Sequence, residues 1–290
     1  MDSEERLKDI EEKLIVLRRA VHGGTAISLP NDRILTRVII DYMTIHFFVD
    51  ARDLLITPTF VMQGVWEPSI TNYFLKHIKP DCHCLDVGAN FGYFTCLMAK
   101  LAWQGKVIGV EPDSHMHRLV EDNIYSNWFT KTAGAICAAV SDAPGYVKLY
   151  KFITRSGNTG MSSLFSQEVI LKGGEIPEQF NAECITLDSL LEQMNNRVDF
   201  IKIDVEGAEP LVIKGAKKLI ELNSKVNIVM EWSPEQMRSA GQNVPEFCSI
   251  LNSLGLQSHT INEYGEVTPI SSSELSSLGY QSGILFKRKI

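Results

Sequence analysis

Basic residues are in deficit in this 290-residue chain, where 28 Lys and Arg stand against 35 Asp and Glu for a formal net charge of −7. Nucleic-acid binding draws heavily on Lys and Arg neutralising phosphates, so this balance argues against a large nucleic-acid footprint. The six cysteines, at 82, 84, 96, 137, 184 and 248, include no Cys-x-x-Cys pair and no dense spacing. That speaks against a zinc knuckle and against a disulfide-built secreted scaffold. No apolar run approaches the ~20 residues needed to cross a bilayer, so no membrane span is expected. Residues 1–19 are charged throughout and lack a signal-peptide core, which makes a cytoplasmic chain the expectation. No internal repeat is apparent. What remains is the composition of an ordinary globular protein, 44% hydrophobic and 22% charged, long enough to bury a proper core.

Periodicity divides the chain into three stretches. Leu7, Ile10, Leu14, Leu17 and Val21 alternate spacings of three and four, so residues 3–21 read as a helix with about two coiled-coil heptads. Homo-oligomerisation and packing on its own domain are both open to that helix, and Gly23-Gly24 closes the segment 1–24. Residues 25–80 form a leader with β-like runs at Ile34–Ile40 and Thr44–Val49, then a helix from Pro68 to Lys79. In 81–290, apolar runs at 82–87, 106–111, 135–140, 198–204, 225–231 and 281–287 alternate with helical stretches near 92–103, 114–127, 188–195, 209–222 and 234–254. Such alternation predicts an α/β fold, a parallel sheet with helices on both faces. Gly145–Phe152 alternates like an added strand. The segment 153–182 has no clear period, and Gly160-Met161-Ser162-Ser163 within it reads either as a closing lid or as a plain surface loop.

Three segments carry chemistry. Asp86-Val87-Gly88-Ala89-Asn90-Phe91-Gly92 lies between a strand and a helix, and its glycines let the backbone turn tightly against a ligand. Asn90 stands where the dinucleotide pattern Gly-x-Gly-x-x-Gly has its second glycine, which favours a ligand without phosphates over a nicotinamide dinucleotide. About 20 residues on, Val107–Val110 delivers Glu111, whose carboxylate is placed to accept from ribose hydroxyls. The strand Phe200–Ile203 then delivers Asp204 and Glu206, and Val226–Met230 delivers Glu231, all to the carboxyl edge of the sheet. These three are candidates for a general base or for oxygen ligands of a divalent cation such as Mg2+. Glu209, opening the next helix, reads as a charge on the helix macrodipole. His115-x-His117 on a helix cannot face one way, so a metal pair there is disfavoured.

Leu85–Gly92, Val110-Glu111-Pro112, Ala139-Val140-Ser141-Asp142 and Ile201–Glu209 with Gly215-Ala216 together resemble the FkbM family of methyltransferases. Trp66-Glu67-Pro68 and Thr186-Leu187-Asp188-Ser189-Leu190 are similar to that family too, and the resemblance spans roughly 45–235. It implies a class I methyltransferase fold, Rossmann-like with a seven-stranded sheet, and S-adenosylmethionine as methyl donor. A hydroxyl acceptor, usually on a sugar or a complex natural product, is implied as well. By the same resemblance Asp86, Gly88, Ala89, Asn90 and Gly92 would surround the methionine part, Glu111 the ribose, and Ser141 and Asp142 the adenine. Asp204 and Glu206, supported by Glu231, would lie at the methyl-transfer centre.

The expected function is therefore O-methylation of a small-molecule or glycan acceptor, a sugar hydroxyl first and a polyketide-like hydroxyl second. A non-catalytic assembly module on the same fold is the alternative outside enzymology. A nucleic-acid methyltransferase is disfavoured, because Asp204-Val205-Glu206-Gly207 stands where a base-flipping Asn-Pro-Pro-Tyr signature would fall.

Overall fold

A computed structural model of the chain describes residues 25–158, 160 and 175–288. The expected helix over 3–21 and the Met161-Ser162-Ser163 part of the expected lid lie outside the described residues.

The leader is an antiparallel sheet of β1 (Thr25–Leu29), β2 (Arg33–Ile40) and β3 (Met43–Asp50), followed by α1 (Ile56–Gln63) and α2 (Pro68–His77). Strand alternation turns Val38, Ile40, Ile45, Phe47 and Val49 to one face, where all are buried. Next in the chain come β4 (His83–Val87), α3 (Tyr93–Leu101), β5 (Lys106–Val110), α4 (Ser114–Ser126) and β6 (Ala133–Ile136). The outer edge of β3 is covered by side-chain amides of α4 and the residue that caps it. Asn123 donates to the Phe48 carbonyl and accepts from its N–H, at 3.0 and 2.6 Å. Asn127 does the same for His46, at 2.6 and 2.9 Å. Backbone groups that an edge strand would leave unpaired are thereby satisfied.

A small sheet of β7 (Ala139–Val140), β8 (Gly145–Lys151) and β9 (Glu178–Ile185), in the order β7-β9-β8, leads into the second half. There follow β10 (Phe200–Ile203), α5 (Glu209–Lys214), α6 (Lys217–Leu222), β11 (Asn227–Trp232), α7 (Pro234–Ser239) and α8 (Val244–Ser253). The described chain ends with β12 (Leu256–Ile261), β13 (Val267–Pro269), α9 (Ser272–Ser277) and β14 (Gln281–Arg288).

The central sheet runs β13-β12-β14-β11-β10-β4-β5-β6. Its five strands from β6 to β11 are parallel, and β14 joins antiparallel to β11. The seven strands expected of the fold are thus present, with β13 added as an eighth at the edge. Alternate residues of the middle strands feed two cores. Cys84, Val107, Phe200 and Val229 pack toward α2, α3 and the leader. Leu85, Ile108, Ile201 and Ile228 pack toward α5, α6 and α8. Strands buried on both faces explain the unbroken apolar runs in the sequence.

Several sequence boundaries are moved by the structure. The run 135–140 is divided between β6 and β7, which belong to different sheets. The helix expected at 188–195 is a 3-10 turn at Leu187–Leu190. The stretch 209–222 breaks into α5 and α6 at Gly215, where an added Cβ would sit 2.1 Å from the Ser141 carbonyl oxygen. The stretch 234–254 breaks at Gly241, whose φ of 77° only glycine adopts freely. Among the described residues no helix is long and apolar enough to cross a membrane.

Candidate active site

The carboxyl ends of β4, β5, β10 and β11 border one cavity of about 310 Å³, the place where open parallel sheets keep their ligands. The first wall is the turn after β4. Gly88 and Ala89 both donate to the Val110 carbonyl, at 2.9 and 3.1 Å, which folds the turn back over β5. Gly88 has φ 81°, and a Cβ there would lie 1.8 Å from the Asp204 carbonyl oxygen. Asn90 also sits in the left-handed region, with φ 51°. Asparagine tolerates that region better than most residues, so it substitutes for a glycine without closing the turn. Its side chain accepts from Phe91 N–H at 2.8 Å and donates to the Ser156 carbonyl at 3.3 Å.

Glu111 closes the second wall. It is 5% exposed, and its two oxygens accept from the backbone N–H groups of Asn90 and Asp113, at 2.8 and 2.9 Å. Burial outweighs those two bonds and pushes its carboxyl up to about 8. Ser141 lines the same cavity beyond Ala138, Ala139 and Val140.

A lysine buried among acids forms the third wall. Lys202 pairs in register with Asp86 across β10 and β4, so both project to the same face of the sheet. Its ammonium lies 2.8 Å from Asp204 Oδ2, 3.9 Å from Glu67 Oε2, and 4.8 Å above the Phe94 ring. Burial alone would depress this lysine, yet Asp204, Glu67 and Asp86 hold it above its ordinary value. Glu206, at φ 55°, accepts from the Gln236 amide. Burial, with Asp204 and Glu209 close by, raises it well above the usual carboxylate range. Glu231 is 7% exposed at the end of β11, with Tyr280 beside it on the cavity wall. Burial and then the charge of Asp204 push Glu231 up to about 11.

Gly88, Ala89, Asn90, Glu111, Ser141, Asp204, Glu206 and Glu231 therefore share one cavity. Asp86, Gly92 and Asp142 do not line it. Asp86 lies behind the wall and accepts from Thr95 Oγ1 at 2.6 Å. Gly92, with φ 87°, caps α3 and lets it approach Val120 of α4. Asp142 accepts from the Ser141 hydroxyl at 3.2 Å.

A Mg2+ site on Asp204, Glu206 and Glu231, the alternative to a general base there, is not supported. Among the described residues no three His, Cys, Asp or Glu side chains make a group that would hold a metal ion. Lys202 already occupies Asp204 Oδ2 and Gln236 occupies Glu206, so the residues do not fit a divalent cation. Glu209 is buried completely and accepts from Val205 and Gly207 N–H, at 3.1 and 3.2 Å, which fixes the turn ahead of α5. His115 and His117 diverge as expected: the first meets Asp50 at 2.9 Å and the second approaches Glu121 at 3.6 Å.

Glu67, Lys202, Trp66 and Tyr280 line the cavity although the sequence reading gave none of them a role. A lysine inside the apolar run 200–203 was the available signal, because a buried ammonium requires carboxylate partners. Asp53, also passed over in the sequence, does not line the cavity but ties together residues that do. Its Oδ1 accepts from Leu55, Ile56 and Thr57 N–H, capping α1, while its Oδ2 holds Ser156 through both N–H and hydroxyl at 2.6 Å.

A sheet in this strand order, with a glycine turn after its first central strand, an acid ending the second and the cavity between them, is a class I methyltransferase fold. The model of the methyltransferase FkbM domain matches residues 86–263, and the chain belongs to that family: it is a methyltransferase. It is similar to methyltransferase sdnD of Sordaria araneosa, 24% identical over 188 residues that cover 57% of this chain and 72% of that protein. AMB antimetabolite synthetase AmbE of Pseudomonas aeruginosa is 25% identical over 166 residues, 48% of this chain and 8% of that protein. Among solved structures, an O-methyltransferase from Bacillus cereus in complex with SAH is 14% identical with a TM-score of 0.42, over 77% of this chain and 80% of that one. TYW2 of M. jannaschii in complex with AdoMet is 11% identical with a TM-score of 0.42, over 91% and 90%.

Proposed function

We propose that this methyltransferase moves the methyl group of S-adenosylmethionine to a hydroxyl oxygen, with a sugar of a glycan or glycoconjugate as acceptor. The observation that carries the reading is Glu111, a buried carboxylate on the cavity wall 2.8 Å from the Asn90 N–H. There it would accept from the ribose hydroxyls, while the backbone of Gly88 to Asn90 borders the methionine part and Ser141 the adenine. The donor supplies an already activated methyl on a sulfonium, so the chain's task is mainly alignment. Asp204 would border the transfer centre, with Lys202 holding its carboxylate in place and Glu206 and Glu231 around it.

A hydroxyl-rich acceptor suits the far end of the cavity. Carboxyl groups of Glu67, Glu206 and Glu231 offer hydrogen-bond acceptors there, and Trp66 and Tyr280 offer aromatic surface. Leu55, Ile56, Trp66 and Glu67 come from the leader, which supports assigning residues 25–80 to the acceptor side and 81–290 to the donor.

Calorimetric titration with S-adenosylmethionine, with NADH as control, tests the donor. One-site binding that Glu111→Ala abolishes is expected, and binding of NADH alone would overturn the reading. Transfer of tritium from methyl-labelled donor to a panel of methyl glycosides and glycans then tests the acceptor. Label on an amine-bearing control and on no glycan would overturn the sugar assignment.

A further inference from the structure

Four carboxyl groups, of Glu67, Asp204, Glu206 and Glu231, surround the far end of the cavity. Asp204 Oδ2 is held by the Lys202 ammonium at 2.8 Å, and Glu206 Oε2 by the Gln236 amide. The other two acids each carry a buried oxygen that nothing holds. Glu67 Oε2 and Glu231 Oε2 are both buried and have no hydrogen-bond partner. Lys202 stands 3.9 Å from the first, near enough to favour its charge but too far to be a hydrogen-bond donor. Buried polar atoms in native proteins almost always have partners, so two orphans on one cavity wall point to a ligand that donates to them.

The backbone singles out Glu67. It has φ 42° and ψ 72°, and it directly precedes Pro68 at the first turn of α2. A residue before proline is normally extended, and a glutamate in the left-handed region is strained. The strain places a leader side chain beside Lys202 of the central sheet.

We propose that Glu67 is the proton acceptor of the methyl transfer, and that Glu231 orients the acceptor beside it. The proposal rests on the donor and hydroxyl reading above. As the acceptor oxygen bonds to the methyl carbon, the carbon–sulfur bond breaks and its electron pair passes to sulfur. The hydroxyl proton moves to the Glu67 carboxylate and later leaves to water. The charged and titratable groups facing Glu67 are Lys202 from β10 and Asp204 just after it, Asp86 from β4, Tyr93 from α3, Glu231 from β11 and Tyr280 just before β14. Burial, offset in part by Lys202, brings Glu67 up to about 7, where it exchanges a proton near neutrality. Glu231, raised to about 11, keeps its proton across that range.

The test needs no acceptor. Sinefungin carries an amine where S-adenosylmethionine carries its methyl sulfonium, so it presents donors at the transfer centre, and S-adenosylhomocysteine presents none. Both are titrated calorimetrically into the full chain at pH 6 and pH 8.5, as wild type, Glu67→Gln and Glu67→Asp. Because the two ligands share the ribose, any titration of Glu111 cancels in the ratio of their Kd values. The wild type is expected to favour sinefungin by about tenfold at pH 8.5, and to lose most of that preference at pH 6. Glu67→Gln is expected to bind S-adenosylhomocysteine normally with no preference at either pH, and Glu67→Asp to keep part of it. Should Glu67→Gln fail to bind either ligand, the wild-type pH dependence and Glu67→Asp decide. A preference that survives in Glu67→Gln, or that is absent from the wild type, overturns the inference and leaves the donor reading standing. Failure of the wild type to bind S-adenosylhomocysteine overturns both.

Discussion

The carbonyl oxygen of Asp204 occupies the space that a Cβ on Gly88 would need, at 1.8 Å. The close approach binds the turn after β4 to the end of β10, so these two walls of the cavity are built as one piece. Gly88→Ala must displace backbone on one side or the other and also bear φ 81°. The variant is expected to lose more stability than the ~1–3 kcal/mol of a strained residue alone, and to lose donor binding. Urea unfolding with calorimetry checks both, and near-wild-type behaviour would refute the close approach.

Glu111 predicts how donor affinity depends on pH. Its folded-state value of about 8 means that near neutrality the free protein holds much of it protonated, whereas ribose hydroxyls favour the carboxylate. Affinity for S-adenosylhomocysteine should therefore fall as pH drops below about 8, approaching about tenfold per unit while this group dominates. Glu111→Gln should bind about 10- to 100-fold more weakly, with a flat pH profile. Isothermal titration at several pH values measures both.

The buried acids also set a stability profile. Glu67 and Glu209 are raised to about 7 and Glu111 to about 8, burial being the first cause in each. An unfolded glutamate titrates near ~4.3, so between ~4.3 and 8 the native state holds protons that the unfolded chain has released. Unfolding free energy then falls as pH rises through this window: the contribution is complete below ~4.3 and gone above about 8. The Tm of the free protein should drop by on the order of 20 °C between pH 5 and pH 8. Asp50 works in the opposite sense. Burial would raise it, but His115 and Arg52 hold it far below its usual range, and its contribution disappears only in strong acid. Calorimetric melts across this range would show a rising Tm if the assignment is wrong.

Asp53→Asn separates a helix cap from a loop tether. The remaining oxygen still accepts from Leu55, Ile56 and Thr57, but the new amide cannot accept from Ser156. Ser156 in turn receives the Asn90 side chain. We expect a loss of about 1–3 kcal/mol, faster hydrogen exchange at Ser156 and Gly157, and weaker donor binding. Asp53→Ala should also lose the cap, a further ~1 kcal/mol. Equal effects from the two variants would show that Asp53 serves the Ser156 tether alone.

The sequence by itself determined the α/β alternation, the strand–turn–helix around Gly88, and the acids that end β5, β10 and β11. These are local properties: an apolar run with period and caps needs only its neighbours to be recognised. The Asn90 substitution was equally legible, since one residue type answers to one backbone conformation. Tertiary structure decided which of those acids share a cavity and which stand behind it. Asp86 follows two residues after Cys84 on the same face of β4, and only the sheet register sets it against Lys202 instead of against a ligand. The strands β9 and β12 escaped because their alternation is carried by weakly apolar or polar residues such as Ala182, Cys184, Ser258 and His259, buried only once their partners are in place. Glu67 was visible as part of Trp66-Glu67-Pro68, but 135 residues separate it from Lys202 in the chain. Its environment, and with it its chemistry, exists only after the leader has folded onto the central sheet, because a buried charge is defined by the groups brought around it and not by its sequence neighbours.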